Sequence, residues 1–182
     1  MRGYFAIGVE GISKPMNLGA LLRSAHAFGA SFFFTLQPAF AVREVRYADT
    51  SDAARHLPLY QYDSLEDLNL PRGCALVGIE LTDEAIELPS FRHPLAAAYV
   101  LGPERGSLSP ALQARCDHVV KIPTKFCVNV GTAGAIVMYD RSISLGRHAR
   151  RPVNPRAAPD ALPDHVQGAQ VIRSAKKAAP SK

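Results

Sequence analysis

The stretch Ala96-Ala97-Ala98-Tyr99-Val100-Leu101-Gly102-Pro103-Glu104-Arg105-Gly106-Ser107-Leu108-Ser109-Pro110 decides the fold class. Its apolar opening, expected as a strand over Ala96–Gly102, shows no alternation with polar residues. That is the pattern of a strand covered on both faces, as in a parallel sheet. No hairpin turn follows it. Glycines on both sides of Glu104 and Arg105 permit a sharply folded loop whose backbone can approach a ligand closely. Ser109–Arg115 then reads as a short helix with Pro110 at its first position, where the missing N–H costs nothing. His118–Ile122 is the next expected strand.

The same rhythm extends in both directions. Further strands are expected at Tyr4–Val9, Ser31–Leu36, Leu57–Tyr60 and Ala75–Leu81. Leu18–Phe28 places Leu18, Leu21, Leu22, Ala25 and Phe28 on one helical face, with Asn17 as the expected N-cap and Gly29 as the C′ residue. Val128–Leu145 is a longer helix. Strands alternating with helices, mostly without hairpins, predict an α/β domain with a mostly parallel sheet flanked by helices.

The 182 residues are 47% hydrophobic and 20% charged, the balance of an ordinary globular chain. A chain of this length buries about 70% of its unfolded surface and needs no disulfide or metal staple. The longest apolar stretch, around Leu95–Leu101, is far short of the ~20 residues that span a bilayer, so no membrane partner is expected. The first ten residues lack a signal-peptide pattern. Cys74, Cys116 and Cys127 form no C-x-x-C pair, which excludes a disulfide scaffold and a cysteine zinc site. A cytoplasmic location is the expectation.

Charge is divided unevenly. Residues 147–182 carry eight Lys/Arg against Asp160 and Asp164, a net +6, while the remaining body is −1. This segment holds five prolines and no aromatic residue, so it cannot bury enough surface to fold alone. The expected organisation is a folded domain over 1–146 and a flexible basic tail over 147–182, in which Asp164–Ala179 could become helical against a partner. A basic tail on a neutral body points to a polyanion such as nucleic acid, or else to a merely solubilising terminus.

Several chemistries are excluded by what the chain lacks. There is no G-x-x-x-x-G-K-[ST] phosphate loop, no G-x-G-x-x-G after the first strand, no H-E-x-x-H and no G-x-S-x-G elbow. No metal is expected. Three polar, glycine-containing segments remain, each at the end of an apolar strand, where ligands of open α/β sheets bind. They are Asn17-Leu18-Gly19-Ala20-Leu21-Leu22-Arg23, Leu101–Ser109, and Ile122-Pro123 with Cys127-Val128-Asn129-Val130-Gly131-Thr132-Ala133-Gly134. Asn17 and Arg23 are expected on one side of their helix. Each segment alone has a plain structural reading: Asn17 as a cap, Glu104 and Arg105 as a surface ion pair, Gly131 and Gly134 as helix-packing residues.

Together, in this order, the segments resemble the SpoU/TrmH branch of the SPOUT methyltransferase superfamily over about residues 4–146. LGPERGSLS (101–109) and the AGAIVMYD stretch (133–140) carry most of the likeness. The resemblance implies S-adenosyl-L-methionine-dependent methylation of a ribose 2′-hydroxyl in RNA, a C-terminal trefoil knot and a homodimer. It makes Arg23 the residue at the reacting hydroxyl, with Asn17, Glu104 and Asn129 completing the catalytic group. Gly102, Ile122, Val128, Glu80 and Leu101 become the cofactor-binding residues. The chain departs from the family at Cys127 and Gly131, where many relatives carry serine, and in a shorter segment between Pro123 and Cys127. With the catalytic body starting within ten residues of Met1, no separate N-terminal RNA-binding domain is expected, and a compact tRNA suits such an enzyme better than rRNA. The competing readings are a catalytically inactive RNA-binding protein of the same fold and a small-molecule-binding α/β domain. The presence of Asn17, Arg23, Glu104 and Asn129 weighs against the first, and the second would gain ground if the purified protein ignored RNA altogether.

Overall fold

The computed structural model of the protein describes residues 3–39 and 56–162. Seven strands appear in it: β1 (Tyr4–Glu10), β2 (Phe32–Leu36), β3 (Leu59–Tyr62), β4 (Ala75–Ile79), β5 (Ile86–Glu87), β6 (Ala96–Leu101) and β7 (His118–Lys121). They form one sheet in the order β3-β2-β1-β6-β4-β7-β5, and every pairing is parallel. The α/β class with a parallel sheet and flanking helices is therefore the observed one. The helices among the described residues are α1 (Pro15–Ala27), α2 (Pro110–Arg115) and α3 (Val130–Leu145), with a 3₁₀ turn at Leu88–Ser90.

Period-two geometry sorts the apolar residues onto two faces. Phe5, Ile7 and Val9 of β1, with Tyr99 and Leu101 of β6, meet Leu18, Leu21, Leu22 and Ala25 of α1 and Val130, Ala133, Val137 and Met138 of α3. Ala6, Phe34, Leu36, Ala98 and Val100 face the other way, onto Leu68, Leu108 and Leu112. Covering on both sides explains why β1 and β6 read as unbroken apolar runs.

α1 and α3 approach closely at Gly134, where an added Cβ would lie 2.1 Å from Leu21 Cδ1. The Gly131 position leaves a Cβ 3.3 Å from Ala20 Cβ. Both glycines therefore serve packing between α1 and α3 within one chain. α1 ends in a Schellman motif: the Ala30 N–H donates to Ala25 O at 2.9 Å and the Gly29 N–H to His26 O at 3.0 Å. Gly29 takes the left-handed conformation, φ +75°, that this cap requires.

Several boundaries differ from the sequence reading. β3 begins at Leu59, two residues late, because Pro58 has no N–H to give and contributes only its carbonyl, to Phe33 N at 2.8 Å. β5 was not anticipated, since two exposed residues carry no periodicity. α1 begins at Pro15 with Lys14 at the cap, so Asn17 lies inside the first turn and is not the N-cap.

At the N-terminal ends of the strands a polar network is buried. The Arg141 guanidinium, fully buried, donates through Nη1 to Pro94 O (2.6 Å) and Tyr99 Oη (3.1 Å), and through Nη2 to Leu95 O (2.8 Å) and Tyr4 O (3.2 Å). A carboxylate only accepts, so His93 Nε2 donates to Asp140 Oδ2 (2.9 Å), and its Nδ1 accepts from the Tyr99 hydroxyl (2.6 Å). Burial holds the His93 pKa below its ordinary value despite Asp140, and burial pushes the Tyr99 phenol up to about 12 despite Arg141.

Two compact units divide the chain, residues 1–147 and 148–182. The described part of the second, 148–162, contains turns and bends but no helix or strand. The expected contact helix over Asp164–Ala179 lies outside the described residues. Among the described residues no helix is long and apolar enough to cross a membrane.

Candidate active site

The carboxyl ends of β4, β6 and β7 open onto a cavity of about 390 Å³, within the size range of small-molecule sites. Eight of the nine expected site residues line it: Asn17, Glu104 and Asn129 with Gly102, Ile122, Val128, Glu80 and Leu101. Arg23 does not. It lies exposed on α1, and the expectation that it shares a side with Asn17 fails on helix geometry. Six residues at 3.6 per turn leave the two side chains about 120° apart.

Glu104 occupies the start of α1. Its Oε2 accepts from the Ser13 backbone N–H and the Ser13 hydroxyl, and its Oε1 from the Lys14 N–H and Asn17 Nδ2, all at 3.0 Å. No side chain at the Lys14 cap position serves this helix, so a carboxylate 90 residues along the chain supplies the negative charge that a helix N-terminus favours. Partial burial raises the Glu104 pKa, but the Ser13 backbone bond, its own backbone N–H, Asn17 and the Ser13 hydroxyl outweigh that. The carboxyl is held below its ordinary value. The predicted surface ion pair with Arg105 is not what engages Glu104.

The network continues in one direction only. Asn17 gives its amide hydrogens to Glu104, so its Oδ1 must accept, and it does so from Asn129 Nδ2 at 3.1 Å. That leaves Asn129 Oδ1 to accept from Gly131 N at 2.9 Å, which makes Asn129 the N-cap of α3. The starts of α1 and α3 and the loop after β6 are thereby tied together by three side chains.

Two more carboxylates shape that loop. Glu80, leaving β4, accepts from Leu108 N (2.6 Å) and Leu81 N (2.9 Å). Glu10, buried at the end of β1, accepts from Ser109 N (2.7 Å) and Ser109 Oγ (2.6 Å). The loop also presses on Gly102, where an added Cβ would stand 3.0 Å from Leu108 N and 3.3 Å from the Ser107 carbonyl carbon. Any larger residue at 102 must displace backbone. Glu10, Ser13 and Lys14 were missed by the sequence reading. A carboxylate closing the apolar run of β1, at the end of the sheet where sites form, was the available signal for Glu10.

Cys127 lines the cavity and is exposed, whereas burial pushes the Cys116 thiol up to about 11. Among the described residues no three His, Cys, Asp or Glu side chains are placed to hold a metal.

Comparison with known proteins agrees with this arrangement. Residues 4–139 match the model of the SpoU rRNA Methylase family. The chain is 29% identical over 139 residues to the mouse tRNA (guanosine(18)-2′-O)-methyltransferase TARBP1, an alignment covering 71% of this chain and 9% of that protein. The SpoU methyltransferase AviRb from Streptomyces viridochromogenes, solved with AdoMet, superposes with a TM-score of 0.69 at 21% identity, covering 81% of this chain and 60% of that one. A structure described as giving insight into 2-OH methylation of C/U34 on tRNA superposes with a TM-score of 0.69 at 21% identity, covering 80% and 92%. The chain spans about half the length, or less, of the curated relatives it matches.

Proposed function

The chain belongs to the SpoU rRNA Methylase family, and from that premise we propose that it is a cytoplasmic, homodimeric enzyme that methylates a ribose 2′-hydroxyl of RNA, tRNA in preference to rRNA. The observation that carries this reading is the convergence of three separated loops on one cavity, with eight expected residues in its wall. The names of the mouse relative and of the tRNA-methylation structure support the choice of hydroxyl and of tRNA.

The cavity suits S-adenosylmethionine. Ile79, Leu101, Ile122, Val128 and Val130 offer apolar wall for an adenine, and the backbone around Gly102, free of a side chain, offers polar groups at close range. Glu80 and Glu104 bring negative charge to a site meant for a cation. When bound there, S-adenosylmethionine supplies an electrophilic methyl group.

The protein's share is positioning and electrostatics. In-line approach of the ribose oxygen is a matter of orientation, which can contribute a large part of the rate. The Glu104–Asn17–Asn129 chain holds the loop after β6 and the starts of α1 and α3 in one geometry. A guanidinium at the reacting hydroxyl, the place the family resemblance gives Arg23, stabilises a developing alkoxide rather than acting as a base. A neighbouring RNA phosphate is the proton acceptor in this scheme.

The C-terminal trefoil knot implied by the family belongs to the same proposal. Pulling the unfolded chain by its two ends should give a contour length shorter than that of an unknotted 182-residue chain.

Two measurements test the function. Calorimetry in EDTA should show S-adenosylmethionine binding without metal. Incubation with labelled cofactor and unmodified tRNA, followed by nuclease digestion and mass spectrometry, should yield a 2′-O-methylnucleoside. A folded protein that binds RNA but transfers no methyl group would establish the inactive RNA-binding reading instead.

A further inference from the structure

Phe126 is 76% exposed, an unusual position for a phenylalanine beside a cavity. It sits between Thr124 and Cys127, both of which line the cavity wall. The backbone there is pinned: Thr124 N donates to Ile122 O at 2.8 Å, and the Thr124 hydroxyl donates to Phe126 O at 2.9 Å. The ring therefore stands in solvent on a hydrogen-bonded turn.

Cations occur on the segments that form the cavity wall. Lys125 precedes Phe126 and is exposed. Lys14, also exposed, lines the cavity from the start of α1, and exposed Arg105 lies between the lining residues Glu104 and Gly106. The carboxylates of the cavity wall keep their charge but are anchored away from Phe126's segment, Glu104 by the Ser13 and Lys14 N–H groups at the start of α1 and Glu80 by those of Leu81 and Leu108. An exposed aromatic ring beside Lys125 at one wall of the cavity, with Lys14 in the wall and Arg105 between two further lining residues, matches a ligand with a flat ring and flanking phosphates.

We propose that Phe126 is the stacking platform for the base of the target nucleotide, so that this protein takes an unpaired nucleotide and reads it without regard to base identity through this residue. The inference rests on the RNA methylation reading above and adds the state of the substrate. A base inside a duplex has both faces covered by its neighbours, so a ring can stack on it only when it is splayed out. Phenylalanine has no donor or acceptor, and every base has a π-face, so stacking here is tolerant of sequence. Lys14, Lys125 and Arg105 hold the adjacent phosphates and supply the salt-dependent part of the affinity. Phe126 binds the base of the substrate and leaves the reacting atoms to other groups.

The test compares the wild-type chain with Phe126→Ala and Phe126→Trp, using a labelled single-stranded 12-nucleotide RNA and the same RNA in a duplex. Fluorescence anisotropy should show Phe126→Ala weakening single-strand binding about five- to hundredfold, the range of one lost stacking contact. Duplex binding and S-adenosylmethionine affinity should stay unchanged, and Phe126→Trp should restore the single-strand affinity. On unmodified tRNA the same loss should fall on KM and spare kcat. Equal loss for both RNA forms, or no loss, overturns the proposal while leaving the function intact. A Phe126→Ala variant that binds RNA normally but changes oligomeric state in light scattering assigns the ring to a contact between copies, and overturns it as well. A wild-type chain that binds the cofactor but no RNA overturns both this inference and the function it rests on.

Discussion

Glu104 joins two jobs in one side chain. It accepts four hydrogen bonds at the start of α1 and stands in the wall of the cavity, so the same contact that starts a helix also sets the site. Its pKa is depressed in the folded protein, so the stabilisation is complete above the ordinary glutamate value and is lost as pH falls through the depressed one. Unfolding free energies from urea titrations between pH 6 and pH 3 should fall for the wild type as the pH is lowered. Glu104→Gln should start lower, by about 1–3 kcal/mol for an impaired charged acceptor, and show a shallower slope over that range. Arg23 is the contrasting case, outside the cavity wall and exposed on α1. Arg23→Ala should cut single-turnover methyl transfer by about 10²–10³, as for loss of one preorganised electrostatic group, with cofactor affinity nearly unchanged by calorimetry. Near-normal turnover would remove Arg23 from the mechanism.

At the scale of elements, the pairing of α1 with α3 holds the site together from behind. The two helices share the core face of the sheet, and their first turns are joined by Asn17 and Asn129. Gly134 sets how closely they approach. An alanine there must displace the buried Leu21 side chain, an overpacking change of the kind that costs about 1–3 kcal/mol. The gain in helix propensity from Gly to Ala, about 1 kcal/mol, offsets part of that. Gly134→Ala should therefore lower Tm by a few degrees, and the double change with Leu21→Ala should show a favourable coupling in a thermodynamic cycle. Purely additive effects would mean that the helices can separate without strain.

Two properties belong to the whole molecule. With Gly131 and Gly134 spent on packing inside one chain, the surface left for a second copy on α3 is the exposed pair Tyr139 and Ile143, at 53% and 39%. Light scattering at micromolar concentration in reducing buffer should give a dimer, and Tyr139→Asp should shift it toward monomer. A wild-type monomer would contradict the proposed homodimer. The second property is the charge division, −1 in residues 1–146 and +6 in 147–182. If four to six tail cations contact phosphates, cutting the chain after Gly146 should reduce the slope of log affinity against log salt by roughly 3–5. Cofactor affinity and Tm should hardly move. An unchanged slope would assign the RNA surface to basic residues such as Arg43, Arg46 and Arg55, which lie outside the described residues. A large loss of stability would mean that part of the tail packs on the fold, with Val166–Ile172, also outside the described residues, as the leading segment.

What the sequence by itself determined about this protein is what local periodicity and composition encode. Unbroken apolar runs gave β1 and β6 to the middle of a parallel sheet, the i, i+3, i+4 pattern gave α1, and Ser109 and Gly29 marked a start and a stop. The three loops of the site were legible for the same reason, since glycine-bracketed polar residues after apolar strands are a local signal. The tertiary structure alone decided which groups meet. Glu104 reaches a helix start 90 residues away and Glu10 reaches Ser109 across 99, and no periodicity relates such positions. It also decided that Asn17 is a link rather than a cap, because the charge that caps α1 comes from another loop. Even the two glycines of α3 carried no address in the sequence. A small residue permits close approach to whatever lies opposite, and only the folded chain shows that this is α1.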